Sequence, residues 1–176
     1  MSDHYVAFYR GHGHLTDWVV RKATRSDFSH VELIRSDSPP RLGDTIRCLG
    51  ASGRDGGVRI KEIRLDPVKW RLYHVRWAPA DAWDRAEAKL GEPFDLLSML
   101  TTQLFNFRRG RRGRWCCSEL VAYALGLNMP HAYSPGDLLR TVDDHTQTWG
   151  RARVALRGER AARMGDLDEE AEGLLS

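Results

Sequence analysis

The chain has 176 residues, of which 41% are hydrophobic and 29% charged, with a formal net charge of +3. That length and balance suit one soluble globular domain with a real core, and they exclude an unstructured, strongly charged chain. The basic excess is too small to identify a partner, and the longest apolar-leaning stretch, Phe94 to Phe107, is too short and too polar to span a bilayer.

Tyr5 to Tyr9 reads as an opening strand, followed by a turn at Gly11-His12-Gly13-His14 and a short amphipathic helix carrying Leu15, Trp18, Val19 and Ala23. Ser29 to Ile34 alternates as a second strand, with His30, Glu32 and Ile34 on one side and Val31 and Leu33 on the other. After a Pro-containing turn over 36–43, Thr45 to Ala51 is the third strand. A tight loop over 52–57 leads into the fourth, Val58 to Ile63. Arg71 to Trp77 alternates as a fifth.

Pro79 marks a change of period. Ala80 to Leu90 reads as a helix closed by Gly91, and Pro93 to Phe107 as another. A basic, Gly-broken loop from Arg108 to Arg114 leads into Trp115-Cys116-Cys117-Ser118-Glu119. Here Leu120, Val121, Ala124 and Leu125 form one helical face, ended by Gly126 and Pro130. Ser134 and Pro135 begin a further helix as N-cap and first residue. Arg151 to Leu156 is expected as a last strand. The organisation is one domain over 1–160 with an acidic tail over 161–176, in the α+β class: a mostly antiparallel sheet covered by helices.

The three cysteines, Cys48, Cys116 and Cys117, are an odd set with one adjacent pair. That is a poor disulfide framework and favours a reducing compartment. The N-terminal residues lack a basic region and a long apolar core, so no signal peptide is visible and a cytoplasmic location is expected on synthesis.

A cysteine at a helix start sits among free backbone N–H groups and a partial positive charge, which bias a thiol toward the nucleophilic thiolate. The alternative is a buried cysteine that only packs. Among seven histidines, His30 is the best candidate base, since it lies in a strand with a carboxylate two residues on. A half-buried strand histidine bonded to its neighbours is the competing reading. His12, His14, Cys116 and Cys117 carry metal-competent atoms, but not at the spacing of a usual zinc site. The arginines between Arg108 and Arg114 suit a solvated loop or an anionic ligand, and lack the aromatic interleaving of a nucleic-acid platform.

Asp27-Phe28-Ser29-His30-Val31-Glu32-Leu33, followed far downstream by Cys117-Ser118-Glu119-Leu120-Val121, resembles the circularly permuted papain-like hydrolases of the NlpC-like superfamily. In that branch the histidine strand precedes the cysteine helix. The Gly56-Gly57-Val58 hairpin, Leu90-Gly91-Glu92-Pro93-Phe94-Asp95-Leu96 and Tyr133-Ser134-Pro135-Gly136-Asp137-Leu138 are similar to family segments in the same order. The likeness covers most of residues 4–141.

The resemblance implies a permuted papain-like fold, Cys117 as nucleophile and His30 as base, with Cys116 packing. A third polar residue orients the histidine in the family, often a Glu on the next strand. This chain has no Glu there, so Ser52 and Glu32 are the candidates. The family pattern favours the next strand, so Ser52 is preferred over Glu32, a same-strand i+2 neighbour about 7 Å from His30. The implied activity is a cysteine hydrolase of the amidase or peptidase class working through a covalent acyl-enzyme, with no metal or organic cofactor. Cell-wall peptides lead as substrates, reached through lysis, a phage particle or specialised export. A lipid acyl hydrolase or acyltransferase, and a non-enzymatic binding or assembly module, are the alternatives.

Overall fold

Alternating apolar residues build five strands in the computed structural model, which describes residues 2–11, 26–95 and 113–151. They are β1 (Asp3–Tyr9), β2 (His30–Ser36), β3 (Thr45–Ser52), β4 (Gly57–Arg64) and β5 (Trp70–His74). All neighbours pair antiparallel in the order β4-β3-β2-β1-β5. The α+β class is therefore as read from the sequence, with each strand within a few residues of its expected place.

The sheet is curled. Residues 65–69 alone join β4 to β5, which are its two outermost strands. Crossing a flat five-stranded sheet takes about 19 Å at about 4.8 Å per spacing, close to the full reach of that connector when extended. The connector is not extended: Lys69 and Trp70 both donate backbone bonds to the Asp66 carbonyl. The edges must approach each other instead. Leu65 in the connector is fully buried against Tyr5, Ala7, Ile34, Cys48 and Trp70, which fill the inside of the curl.

The other face carries Val6, Phe8, Val31, Leu33, Leu49 and Ala51, and the helices pack on it. Helix α1 (Ala82–Glu87) and helix α2 (Cys117–Ala124) both meet β2 and β3. Burying side chains such as Leu120 and Val121 there contributes roughly 1.5–3 kcal/mol each. Helix α2 ends as its sequence dictates. Gly126 takes φ 72°, Leu127 N–H donates to the Ala122 carbonyl and Gly126 N–H to that of Tyr123, a Schellman closure.

Residues 135–151 form helix α3. The Ser134 hydroxyl accepts from the Asp137 N–H at 3.1 Å while the Asp137 carboxylate accepts from the Ser134 hydroxyl at 2.7 Å, so the expected N-cap is made.

Two expectations are corrected. Pro93 and Phe94 lie in isolated bridges, with Gly57 and Trp115 respectively, so the expected helix does not begin at Pro93. Residues 96–107 lie outside the described residues. Arg151 is helical where the last strand was expected to begin, because α3 runs on beyond Val142, which is buried in the core, and Thr146, which binds Trp77 Nε1. Residues 152–156, the turn and helix expected over 12–23, and the tail over 161–176 also fall outside.

Candidate active site

Helix α2 starts where the sequence places it. Cys116 is the N-cap in an extended conformation (φ −97°, ψ 165°), and Cys117 is the first helical residue. The segment before it is tightly held. Trp115 N–H donates to the Pro93 carbonyl, Asp95 N–H donates to that of Trp115, and Trp115 Nε1 donates to Glu92. The Trp115 ring also packs on Tyr123, and the Lys89 ammonium lies over both rings.

Cys117 and His30 line one cleft of about 890 Å3, together with Glu32, Ser52, Arg59 and Phe94. The cleft lies where β2 begins and β3 ends, so His30, the first residue of β2, meets the start of α2 around the end of the sheet. Its ring is 22% exposed, and Nε2 lies 2.6 Å from Glu32 Oε1. That leaves Nδ1 as the ring nitrogen for Cys117. Burial alone would lower the His30 pKa. The charge of Cys117, then that of Glu32, and hydrogen bonding to both outweigh burial and raise the ring to about 10.

Glu32 is 0% exposed, so it is a buried carboxylate on the His30 side of β2. Oε1 also accepts from Arg59 Nη2 at 2.7 Å, and Oε2 accepts from Arg59 Nη1 at 2.8 Å, a two-point fork. Burial would raise the Glu32 pKa, but His30 and then Arg59 more than offset it, and the carboxyl is held below its ordinary range. Arg59 Nε donates in turn to Asp55 Oδ2 at 2.9 Å. That bond is the main reason the Asp55 carboxyl is lowered to about 2.

His30 thus hydrogen-bonds to Glu32 and not to the preferred Ser52, whose hydroxyl accepts from the Asp55 N–H at 3.4 Å. The separation of about 7 Å belongs to the Cα atoms, and a ring and a three-carbon carboxylate on one face lean together across it. Ser52 lines the cleft, as do Arg54, Asp55 and Gly56 of the hairpin loop and Arg114 of the basic stretch.

Sequence reasoning missed Arg59 and Gly50. Ala7 pairs with Glu32, Gly50 pairs with Arg59, and Leu33 opposite Leu49 puts Glu32 opposite Gly50. Arg59 therefore reaches Glu32 across β3 over a residue with no side chain. A Cβ at Gly50 would stand 2.2 Å from Glu32 Oε2. A glycine inside a strand is the available signal, since it often marks close approach.

Cys116 faces elsewhere. It is buried, its sulfur lies 3.7 Å from the Ser118 hydroxyl, and burial, Cys117 and Glu119 push its pKa up, so it stays a thiol. His12 and His14 lie outside the described residues, among which no group of metal-competent side chains is assembled. No described helix is long and apolar enough to cross a membrane.

Compared with known proteins, the chain matches no family model and no curated sequence.

Proposed function

We propose that this chain is a cysteine hydrolase of the circularly permuted papain-like kind, cleaving a peptide or other amide bond, with cell-wall peptides the leading substrates. The supporting observation is the chain of contacts at the cleft. A cysteine at the first position of a helix faces a histidine whose far nitrogen bonds a fully buried carboxylate.

In this reading the Cys117 thiolate attacks the carbonyl carbon, and the carbonyl π electrons move onto oxygen. The Cys117 backbone N–H helps to hold that oxyanion. The tetrahedral intermediate collapses, the C–N bond breaks, and His30 gives its proton to the leaving nitrogen. Water, deprotonated by His30, then attacks the thioester and releases the acid and the thiol. Glu32 keeps Nε2 engaged, so Nδ1 stays aimed at sulfur and the imidazolium is supported.

A lipid acyl substrate is the second reading. Tyr9, Ile63, Trp70 and Phe94 give the cleft apolar wall against which an acyl chain can lie.

Alkylation with iodoacetamide at pH 6–7, with the label located by peptide mapping, tests the shared chemistry. Selective, fast modification of Cys117 is expected. Labelling no faster than a free thiol overturns both hydrolase readings and leaves a binding or assembly module. Assays on cell-wall peptides and on acyl lipids then separate the two substrates.

A further inference from the structure

We infer that Arg59, reaching over Gly50 and anchored by Asp55, is the positioning residue that fixes the Glu32 carboxylate against His30 and so sets the reactivity of Cys117. The inference rests on the hydrolase reading and adds a fourth and a fifth member to its site.

The geometry assigns Arg59 more than a neutralising charge. Glu32 Oε1 is shared, accepting from Arg59 Nη2 at 2.7 Å and meeting His30 Nε2 at 2.6 Å. With Oε2 held at 2.8 Å by Nη1, both carboxylate oxygens are fixed and the group cannot turn about its last bond. The lone-pair direction that Oε1 offers the ring is therefore dictated by the guanidinium plane. That plane is itself held on its outer side, where Nε donates to Asp55 Oδ2 at 2.9 Å and Lys61 Nζ donates to Oδ1 at 3.2 Å. Asp55 belongs to the hairpin loop that lines the cleft, so the loop's position is transmitted through Arg59 to His30.

Gly50 makes the arrangement possible. Its backbone is not in the left-handed region, so an alanine there meets no conformational barrier. The added methyl would instead occupy the space of the Glu32 carboxylate, with Arg59 Nη1 only 3.1 Å away. A lysine at position 59 would carry the same charge but offer a single point and no fork.

Two readouts on the full chain test this: the pH profile of Cys117 alkylation by iodoacetamide, and the titration of the His30 ring followed by NMR. Arg59→Lys is expected to slow alkylation at pH 6.5 by roughly tenfold, because the ring is less well aimed at the sulfur, and separately to lower the His30 midpoint by about one pH unit. Asp55→Asn, at a partly exposed position, is expected to fold even where the lysine variant does not. It is expected to shift both readouts the same way by a smaller factor, about threefold. Because Arg59 acts through Glu32, either change made in a Glu32→Gln background is expected to alter both readouts by less than about twofold.

Wild-type readouts in both single variants, or effects that persist in full on top of Glu32→Gln, overturn the inference. Failure of the hydrolase reading looks different. There, wild-type Cys117 alkylates like a free thiol, while the His30 midpoint still reports whether Arg59 and Asp55 act on the ring through Glu32.

Discussion

Glu32 and Glu119 are both buried carboxyl groups, the first bonded to His30 in the cleft that Cys117 lines and the second bonded to Cys116, and the fold treats them in opposite ways. Glu32, on the Cys117 side, has a partner for every oxygen and is held ionised by His30 and Arg59. Glu119, on the Cys116 side, is 7% exposed, and its Oε2 has no hydrogen-bond partner among the described residues. Burial, with Asp95 adding, outweighs bonding to Cys116 and pushes Glu119 up to about 7. A first-turn acid is expected to gain from the helix dipole, but that gain is about 0.3–1 kcal/mol and is smaller than the cost of an incompletely solvated charge. One compartment is thus built to keep charges and the other to shed them. The proposed nucleophile would gain from the first, and a packing thiol tolerates the second.

The largest test of that contrast exchanges the cysteines in turn. Cys117→Ser is expected to lower turnover by roughly a thousandfold or more, because a hydroxyl replaces the thiol that the ionic compartment serves. Cys116→Ser, in the compartment that holds neutral groups, is expected to keep turnover within about threefold and to lose stability through a newly buried hydroxyl, by about 1–3 kcal/mol. Steady-state kinetics on each purified variant, with urea unfolding beside them, separate the two. Comparable losses from both would erase the distinction.

Next in size is the response of each acid to loss of its charge. Glu32→Gln leaves the Arg59 guanidinium, 16% exposed, with Asp55 as its remaining ion-pair partner, and is expected to cost about 3 kcal/mol in urea unfolding at pH 7. Glu119→Gln replaces a group already close to neutral and is expected to change stability at pH 5 by less than about 1 kcal/mol. A Glu119→Gln penalty at pH 5 as large as the Glu32→Gln penalty at pH 7 would show that Glu119 has a charged partner after all.

How far the sequence reveals this contrast depends on which contacts are local. The strands and the helix start are legible because alternation, the Ser134 cap and the Gly126 closure each act within a few residues. Val31 and Leu33 fall on the helix-covered face and Ile34 inside the curl, as period two requires. The partner of His30 was legible only as a choice, since Cα spacing says little about where two long side chains meet. The Glu32–Arg59 pair was not legible at all. It depends on lateral register across three strands, and one residue of slip would turn Arg59 to the other face. The extent of α3 was obscured because Arg151 to Leu156 alternates as a strand does, while the packing that favours helix comes from distant residues such as Trp77.

A third test uses pH. Glu119 has a folded-state pKa near 7, above the unfolded value of 4.5, so its contribution is fully present below pH 4.5 and is lost as pH rises to about 7. The loss is on the order of 3 kcal/mol. His30, raised to about 10, supports the fold fully below 6.5 and loses that support progressively as pH rises from 6.5 to about 10. Unfolding measured at pH 5 and pH 7.5 is therefore expected to show the wild type losing stability relative to Glu119→Gln, with the His30 contribution largely common to both. Parallel behaviour of the two proteins would mean that Glu119 is ionised throughout and that the compartments do not differ.

The smallest expected effect lies at the rim of the ionic compartment. Ser52 lines the cleft, and its hydroxyl accepts a long bond of 3.4 Å from the Asp55 N–H. That bond helps to place the loop whose carboxylate holds Arg59, but Asp55 keeps both Arg59 and Lys61 without it. Ser52→Ala is therefore expected to lower turnover by less than about threefold and stability by less than about 1 kcal/mol. Had Ser52 accepted the His30 N–H, its loss would instead free the ring and cost far more. The comparison with Glu32→Gln, made by kinetics at saturating and limiting substrate, decides it. If Ser52→Ala is the more damaging of the two, the histidine takes its orientation from β3 in the proposed reaction, and the contact with Glu32 serves stability alone.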